Sequence, residues 1–261
     1  MAAIDFGMTV GEVVGKGRGL KNRFGIEFEL EGEGLPKSVA GWDVTHDGSL
    51  RNNGLEYVTS TPYTLEDALS AITAMEKATA KSKIANTGYA GTHIHVNVSD
   101  LTVTKMFNFA LLFLALEDII ASRYYGEGRK GNLFCLCASD AEGLINYIYR
   151  AVIKGDLTIL KTDDIRYSSL NFSSLFKHGT LEFRGQDGIG DFNRARDWLR
   201  FLAAFKTRST QFDDPVAMLM VSSRTDGRFA EEFLGELTDE ELSRVRAGVR
   251  CIQPIVFEGE W

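Results

Sequence analysis

Glu27 and Glu29 sit two residues apart in Phe24-Gly25-Ile26-Glu27-Phe28-Glu29-Leu30, a run with hydrophobes at even positions and acids, Glu31 included, at odd ones. The same alternation recurs in His93-Ile94-His95-Val96-Asn97-Val98-Ser99, in Ser169-Leu170-Asn171-Phe172 and in Leu181-Glu182-Phe183-Arg184. Successive side chains of a β-strand point to opposite faces, so each run separates an oily face from a face of Glu, His, Asn and Arg. Strands of this kind in one sheet would gather carboxylates, imidazoles and a guanidinium on one surface. Such a surface suits a divalent metal and a phosphate far better than it suits plain solvation.

Taken singly, each run also has an ordinary explanation. The Glu27 and Glu29 carboxylates would lie about 7 Å apart along a strand, where like charges repel unless a cation or proton intervenes, but an exposed sheet face could carry them too. His93 and His95 could be packed or solvated, yet two of the four histidines fall within three residues, behind Gly91-Thr92 and ahead of Asn97. Imidazoles on one strand face can ligate a metal or touch a nucleotide. Glu182 and Arg184 could form a salt bridge, which stabilises little when exposed. Arg166, with Ser169 and Asn171 downstream, offers a fork of donors to phosphate oxygens. Glu56 lies inside Leu55-Glu56-Tyr57-Val58, where a buried carboxylate needs a partner. Asp47, in Asp47-Gly48-Ser49, reads as a turn former. Gly15-Lys16-Gly17-Arg18-Gly19 lacks the spacing and trailing Lys-Ser/Thr of a phosphate loop, and reads as a flexible, solvated leader. The coincidence of all these runs through most of the chain favours the shared site.

The elements that must position these residues follow from periodicity and punctuation. Strands are expected at 23–31, through Leu55 to Val58, through the His-x-His run, from Arg166 to Phe172 and from Thr180 to Arg184. A helix is expected from Thr64 to about Lys83 on the stripe Leu65, Ala68, Leu69, Ile72 and Met75, and a long one from Thr102 to about Tyr125. Ser139 with Glu142 makes a capping box for a helix ending near Lys154. The rest reads as helices at about Asn193–Phe212, Pro215–Ser222, Arg228–Leu234 and Thr238–Gly248, the last with a Thr238–Glu241 capping box. Strands and helices alternate irregularly, without the spacing of parallel βαβ units. The expectation is an α+β fold: a mostly antiparallel sheet with helices on its apolar face and a helical C-terminal third.

Composition narrows the class. The 261 residues are 44% hydrophobic and 25% charged, with four prolines, so a globular chain with a sizeable core is expected. No internal repeat or composition shift divides it; residues 1–261 read as one catalytic domain, with the sheet core and site in 23–185 and helices in 190–261. A net charge of −7 argues against general nucleic-acid binding, which relies on a cationic surface. Cys135 and Cys137 are too close for a zinc knuckle, and three sparse cysteines fit a reducing compartment. The N-terminus has no signal-peptide pattern, and Met106 to Ala121 is too short and too interrupted by Asn108, Glu117 and Asp118 for a membrane span. A cytoplasmic protein without membrane contact is expected.

The ordered set of segments resembles the glutamine synthetase-type carboxylate–amine ligases, and most closely the compact amidoligase group. The matching residues are Phe24 to Glu29, Asp47-Gly48-Ser49, Gly54 to Val58 with Pro62, Gly91 to Asn97, Arg166 to Asn171, and Leu181 to Arg184. The resemblance covers roughly residues 23–185 and implies a curved antiparallel sheet that binds ATP with Mg²⁺ or Mn²⁺. It implies that Glu29 and Glu56 hold one metal, and that Glu27, His93 and Glu182 hold a second beside the γ-phosphate. His95 and Asn97 would face the nucleotide, with Asn171 on the same side, and Arg166 and Arg184 would neutralise the transferring phosphoryl group. The activity implied is amide formation through an acyl phosphate, between small-molecule or peptide carboxylates and amines. The chain is much shorter than a glutamine synthetase and lacks that enzyme's small N-terminal domain, so a ring of that kind is not implied. The helices after Asn193 either complete the core, cover the site or form a contact between copies. Two other readings stand beside this one: a metal-dependent hydrolase using His93, His95 and the carboxylates, and a non-catalytic binding protein that retains the fold.

Overall fold

A computed structural model describes residues 4–17, 19–126, 129, 131–133, 135–138, 140–188 and 190–261. The chain runs α1 (Val10–Val14), β1 (Phe24–Leu30), β2 (Gly32–Glu33), β3 (Trp42–Thr45), β4 (Leu55–Thr59), α2 (Leu65–Thr79), β5 (Lys83–Ile84) and β6 (Gly91–Asn97). It continues through α3 (Val103–Tyr124), α4 (Glu142–Lys154), β7 (Leu170–Asn171), α5 (Ser173–His178) and β8 (Thr180–Asp187). Four helices close it: α6 (Phe192–Ser209), α7 (Pro215–Arg224), α8 (Glu231–Leu234) and α9 (Asp239–Glu258).

Six strands form an antiparallel sheet in the order β3-β4-β1-β6-β8-β7, and β2 pairs with β5 in a separate ribbon. The fold is therefore α+β, as the alternation implies. The even positions of β1 (Phe24, Ile26, Phe28 and Leu30) are all buried, as are Ile94 and Val96 of β6 and Leu181 and Phe183 of β8. Helices α2, α3 and α6 cover this oily face. Phe109 and Phe113 of α3 pack their rings on Phe183, and Trp198 and Phe205 of α6 join them. Each fully buried side chain of this size stabilises the fold by ~2 kcal/mol. Among the described residues, no helix is long and apolar enough to cross a membrane.

Local signals act as expected at several helix starts. Thr64 and Thr102 accept from the backbone N–H groups of Asp67 and Lys105, and Thr238 forms its capping box with Glu241. Other expectations are corrected. The run Arg166 to Phe172 yields only the short β7, and Arg166 lies in a turn before it. Trp42–Thr45, not among the expected strands, pairs with β4 as an edge strand. The leader is not wholly solvated: α1 has its own Thr9–Glu12 capping box and buries Val10. Ser139 of the other expected capping box lies outside the described residues, and α4 starts at Glu142 with Ala141 at its N-cap.

The last helix does not stop at Gly248 but runs through Pro254 to Glu258. Gly248 is there for close packing, since a β-carbon would lie 2.0 Å from the Ala115 carbonyl oxygen of α3. From that same stretch of α3, Asp118 pairs with Arg244 of α9.

One buried acid holds several elements together beneath the sheet. Glu117 of α3 accepts from the Ser169 hydroxyl, from the Ala138 N–H at 2.6 Å and from the Tyr125 hydroxyl at 3.2 Å. Burial pushes its carboxyl up to about 7, against the opposing effect of these hydrogen bonds. A carboxyl raised in the folded state stays protonated there after it has ionised in the unfolded chain, so stability falls as pH rises from about 4.5 to about 7. Glu117→Gln keeps a donor and an acceptor without the charge. Urea titrations should therefore show the variant gaining on the parent by about 3 kcal/mol between pH 4.5 and pH 8. An offset that does not change with pH would refute the assignment.

Candidate active site

The face opposite the helices carries the charged groups, and strand register assembles them. Across β1 and β6, Glu27 stands opposite His93 and Gly25 opposite His95. Across β1 and β4, Glu29 stands opposite Glu56. His95 faces Glu182 across β6 and β8, and Glu182 faces Asn171 across β8 and β7. Opposed residues of an antiparallel pair share a face, so a row of ionisable side chains crosses four strands and ends at Asn171 on β7.

Between Thr92 and Ile94 the register slips by one, and β8 places both Arg184 and Gly185 against His93. An extra residue of this sort bends a strand and re-aims its side chains. Arg184 stays on the polar face while Gln186 falls opposite Thr92. Gly185 is required at the slip, because a β-carbon there would lie 2.0 Å from the Tyr125 ring.

The resulting contacts are short and mostly buried. His93 Nδ1 lies 2.7 Å from Glu27 Oε1 and 3.6 Å from Glu182 Oε1, while its Nε2 lies 3.6 Å from Glu29 Oε2. His95 Nε2 lies 3.9 Å from Glu27 Oε2, and its Nδ1 meets the Thr180 hydroxyl at 3.2 Å. Glu182 accepts from Arg184 Nη1 at 2.6 Å and from Asn171 Nδ2 and Ser174 Oγ at 2.8 Å each. Glu56 accepts from the Thr45 hydroxyl.

Electrostatics follow from this crowding. Burial works to raise the Glu182 carboxyl, but the charges of His95, Arg184 and His93 outweigh it and hold it at about 2. Glu27 is likewise held well below its ordinary value: burial is overcome by the charge and hydrogen bond of His93, with help from His95. Burial and the Glu27 charge leave Glu29 raised, although His93, Arg184 and Arg129 oppose them. Glu56 rises to about 7, through burial and the Glu27 charge, despite its Thr45 hydrogen bond. His93 loses affinity for its proton through burial and Arg184 but gains more from Glu29 and Glu27, so its net shift is upward.

These groups form the floor of a cavity of about 1280 Å³. Glu27, Glu29, His93, His95, Asn97, Arg166, Asn171, Glu182 and Arg184 all line it. Glu56 joins the row through register rather than as a lining residue. Asn97 is already engaged, donating to the Leu20 carbonyl and Asp100 at 3.0 Å each and accepting from Ser99. Asn171 orients Glu182 and accepts from the Ser173 N–H. Arg166 reaches the cavity from the turn before β7, its guanidinium 4.5 Å from the Tyr167 ring centre. The third acid of the first run, Glu31, turns to the Arg51 N–H and the Asn52 amide instead.

Sequence patterns do not single out Arg129, which is buried and lines the cavity beside Glu29. Its neighbours in the chain carry no alternating motif, and only tertiary contact brings it to the floor. His178, at the end of α5, also joins the cavity, its ring centre 5.9 Å from that of His95.

One ligand atom each from Glu27, His93 and Glu182 lie within 4.8 Å of one another. Carboxylate oxygens with a single imidazole suit Mg²⁺, and Mn²⁺ slightly better. The polar face also carries more acid than base, with Glu27, Glu29, Glu56 and Glu182 set against Arg184, Arg129 and a protonated His93. The donor set therefore fits a hard dication. Because Glu29, Glu56 and His93 are all shifted toward holding protons, a dication must compete with protons for the site. Mn²⁺ titrations followed by calorimetry should show affinity rising from pH 6 to pH 8, and Glu182→Gln should weaken binding at least ~10-fold. Affinity independent of both would argue against a metal at this floor.

A profile of the family described as "Putative amidoligase enzyme" matches residues 36–206, or 171 of the 261 residues. Glu56, His93, Glu182 and Arg184 fall inside that span, while Glu27 and Glu29 precede it and are tied to it by the pairing of β1 with β4 and β6. No curated protein matches the chain.

Proposed function

The chain belongs to the amidoligase family, and we propose that it is an ATP-dependent carboxylate–amine ligase acting through an acyl phosphate. The observation that carries this reading is the convergence of Glu27, His93 and Glu182, with Glu29 and Arg184 beside them, on the floor of one large cavity.

A carboxylate is a poor electrophile. In the proposed reaction one of its oxygens attacks the γ-phosphorus of ATP, the bond to the bridging oxygen breaks, and ADP leaves. The acyl phosphate then accepts an amine at its carbonyl carbon, phosphate departs with the bonding pair, and the amine's proton passes to a base or water. Phosphoryl transfer depends mainly on positioning and charge neutralisation. Glu27, His93 and Glu182 would hold one dication and Glu29 with Glu56 a second, and Mg²⁺ or Mn²⁺ would supply the positive charge that the triphosphate oxygens need. Arg184, fixed by its 2.6 Å bond to Glu182, would face the transferring phosphoryl group. His95, Asn97 and Asn171 lie toward the nucleotide in this reading. Of these, His95 meets the Thr180 hydroxyl through Nδ1 and approaches Glu27 through Nε2. Arg166 would reach the phosphates from the cavity rim.

Three measurements test the proposal. ATP with Mn²⁺ should raise the melting temperature, since a ligand held at 100 times its Kd stabilises the native state by about 2.7 kcal/mol. With hydroxylamine as the amine and a panel of amino acids and peptides as acids, ADP and hydroxamate should form together, and only with particular acids. Arg184→Ala should lower kcat roughly a hundredfold, as expected for loss of one charge-stabilising donor. ADP release that ignores the acid would contradict the ligase reading, and amide cleavage without nucleotide would favour a hydrolase.

A further inference from the structure

The glycine-rich leader ahead of β1 is held more firmly than its glycines alone imply. Asn97, at the end of β6, is 1% exposed, and its amide donates to the Leu20 carbonyl and to Asp100 at 3.0 Å each. Ser99 Oγ lies 2.6 Å from the Gly17 carbonyl oxygen and 2.8 Å from Asn97 Oδ1, which share its one proton. From α6, the buried Lys206 donates to the Asn97 carbonyl at 2.7 Å and to Asn22 Oδ1 at 3.4 Å. Gly17 has a φ of 67°, and a β-carbon on it would lie 2.8 Å from Ser99 Oγ and 3.2 Å from the His178 carbonyl oxygen. The chain thus passes tightly between the end of β6 and the turn after α5. Buried polar groups are costly unless bonded, and these spend much of their bonding on the leader.

The latched segment is also a wall of the site. Gly17 and Leu20 line the cavity, together with Gly25, Pro62 and Phe176. Gly25 stands opposite His95, on the face of β1 that carries Glu27 and Glu29. The nearest atoms to a β-carbon at Gly25 would belong to His95 and Thr59, at 3.3 and 3.8 Å, so the floor there is bare. The imidazoles of His95 and His178 meet edge to face, with ring centres 5.9 Å apart. Leu20, Pro62 and Phe176 supply apolar walls. A bare floor with apolar and aromatic walls suits a flat ring. It begins about 7 Å along the strand from Glu27, one of the three grouped metal-ligand candidates.

Both N–H groups of the Asn97 amide are spent, so its donors reach a ligand only through the leader. We propose that Asn97 and Ser99 are positioning residues: they latch the leader so that Leu20 walls a slot for the ribose and base of the nucleotide. The assignment rests on the ligase reading, which supplies the nucleotide. It makes Leu20 a specificity-determining residue in a segment that precedes the matched span of residues 36–206.

The test uses the full-length protein and two probes, a non-hydrolysable ATP analogue and inorganic tripolyphosphate, each with Mn²⁺. The first carries ribose and base, the second only phosphates. Calorimetry should show Leu20→Ala and Asn97→Ala weakening the analogue about tenfold and tripolyphosphate not at all, with Leu20→Met restoring the analogue. Trypsin reads the latch directly, as cleavage after the exposed Lys16 and Lys21. Asn97→Ala should accelerate that cleavage, and in the parent the analogue should slow it while tripolyphosphate should not. If Asn97→Ala does not fold, Ser99→Ala takes its place in both assays. Equal weakening of both probes, or unchanged cleavage in the latch variant, would overturn the assignment. A parent that binds both probes, with an analogue affinity that Leu20→Ala leaves unchanged, would sink the leader proposal alone. A parent that binds neither probe would sink the ligase reading and this assignment with it.

Discussion

Glu27 and His93 face each other across adjacent strands, and that pairing governs the charge balance of the floor. Placing Glu27, Glu29, Glu56 and Glu182 on one partly buried face brings like charges close where water screens them poorly. Such a face persists only if positive charge is built in or supplied. Part of it is built in: His93 shares its ring between Glu27, Glu29 and Glu182, and Arg184 grips Glu182. The carboxyls diverge accordingly. Glu27 and Glu182 stay ionised, while burial and the Glu27 charge bias Glu29 and Glu56 toward their protons. The ionised acids thus lie on β1 and β8, on either side of the histidines of β6, and the proton-holding ones lie on β1 and β4.

Holding mutually repelling groups in register requires a stiff support. The opposite face of the same strands supplies it, with aromatic rings of α3, β8 and α6 interlocked beneath the sheet. Close packing of this kind resists small displacements, so the polar face inherits the rigidity of the oily one. The slip in β8 is braced from both sides. Tyr125 fills the space left by Gly185, and Arg129 binds the carbonyls of Arg184 and Gly185. Glu117 ties Tyr125 to Ser169, whose carbonyl accepts the Arg184 N–H at 2.7 Å. A single residue added to one strand therefore depends on a buried acid, a buried arginine and two neighbouring segments.

Much of this was already legible in the sequence. Period-two runs identified β1, β6 and β8 and told which of their residues share a face, because strand geometry makes alternation a local property. That carried Glu27, Glu29, His93, His95, Glu182 and Arg184 to the polar face, and the order of the segments pointed to the amidoligase family. Helix starts at Thr64, Thr102 and Thr238 were equally local, since each depends on a side chain bonding its own first turn. Helix ends were not: α9 runs past Gly248 because that glycine serves contact with α3 rather than termination.

What sequence could not decide is which strands become neighbours and by what register. In the order β3-β4-β1-β6-β8-β7, the pairs β1–β6 and β6–β8 join residues more than sixty apart, and nothing within either segment states the alignment. The slip opposite His93, the diversion of Glu31 to a turn, the placing of Arg166 in a turn and the arrival of Arg129 and Glu117 are all of this kind. Alternation along a strand is set by covalent geometry, so the chain alone determined which side chains are polar-facing. Their meeting is set by packing between distant segments, so only the tertiary structure decided that they form one site.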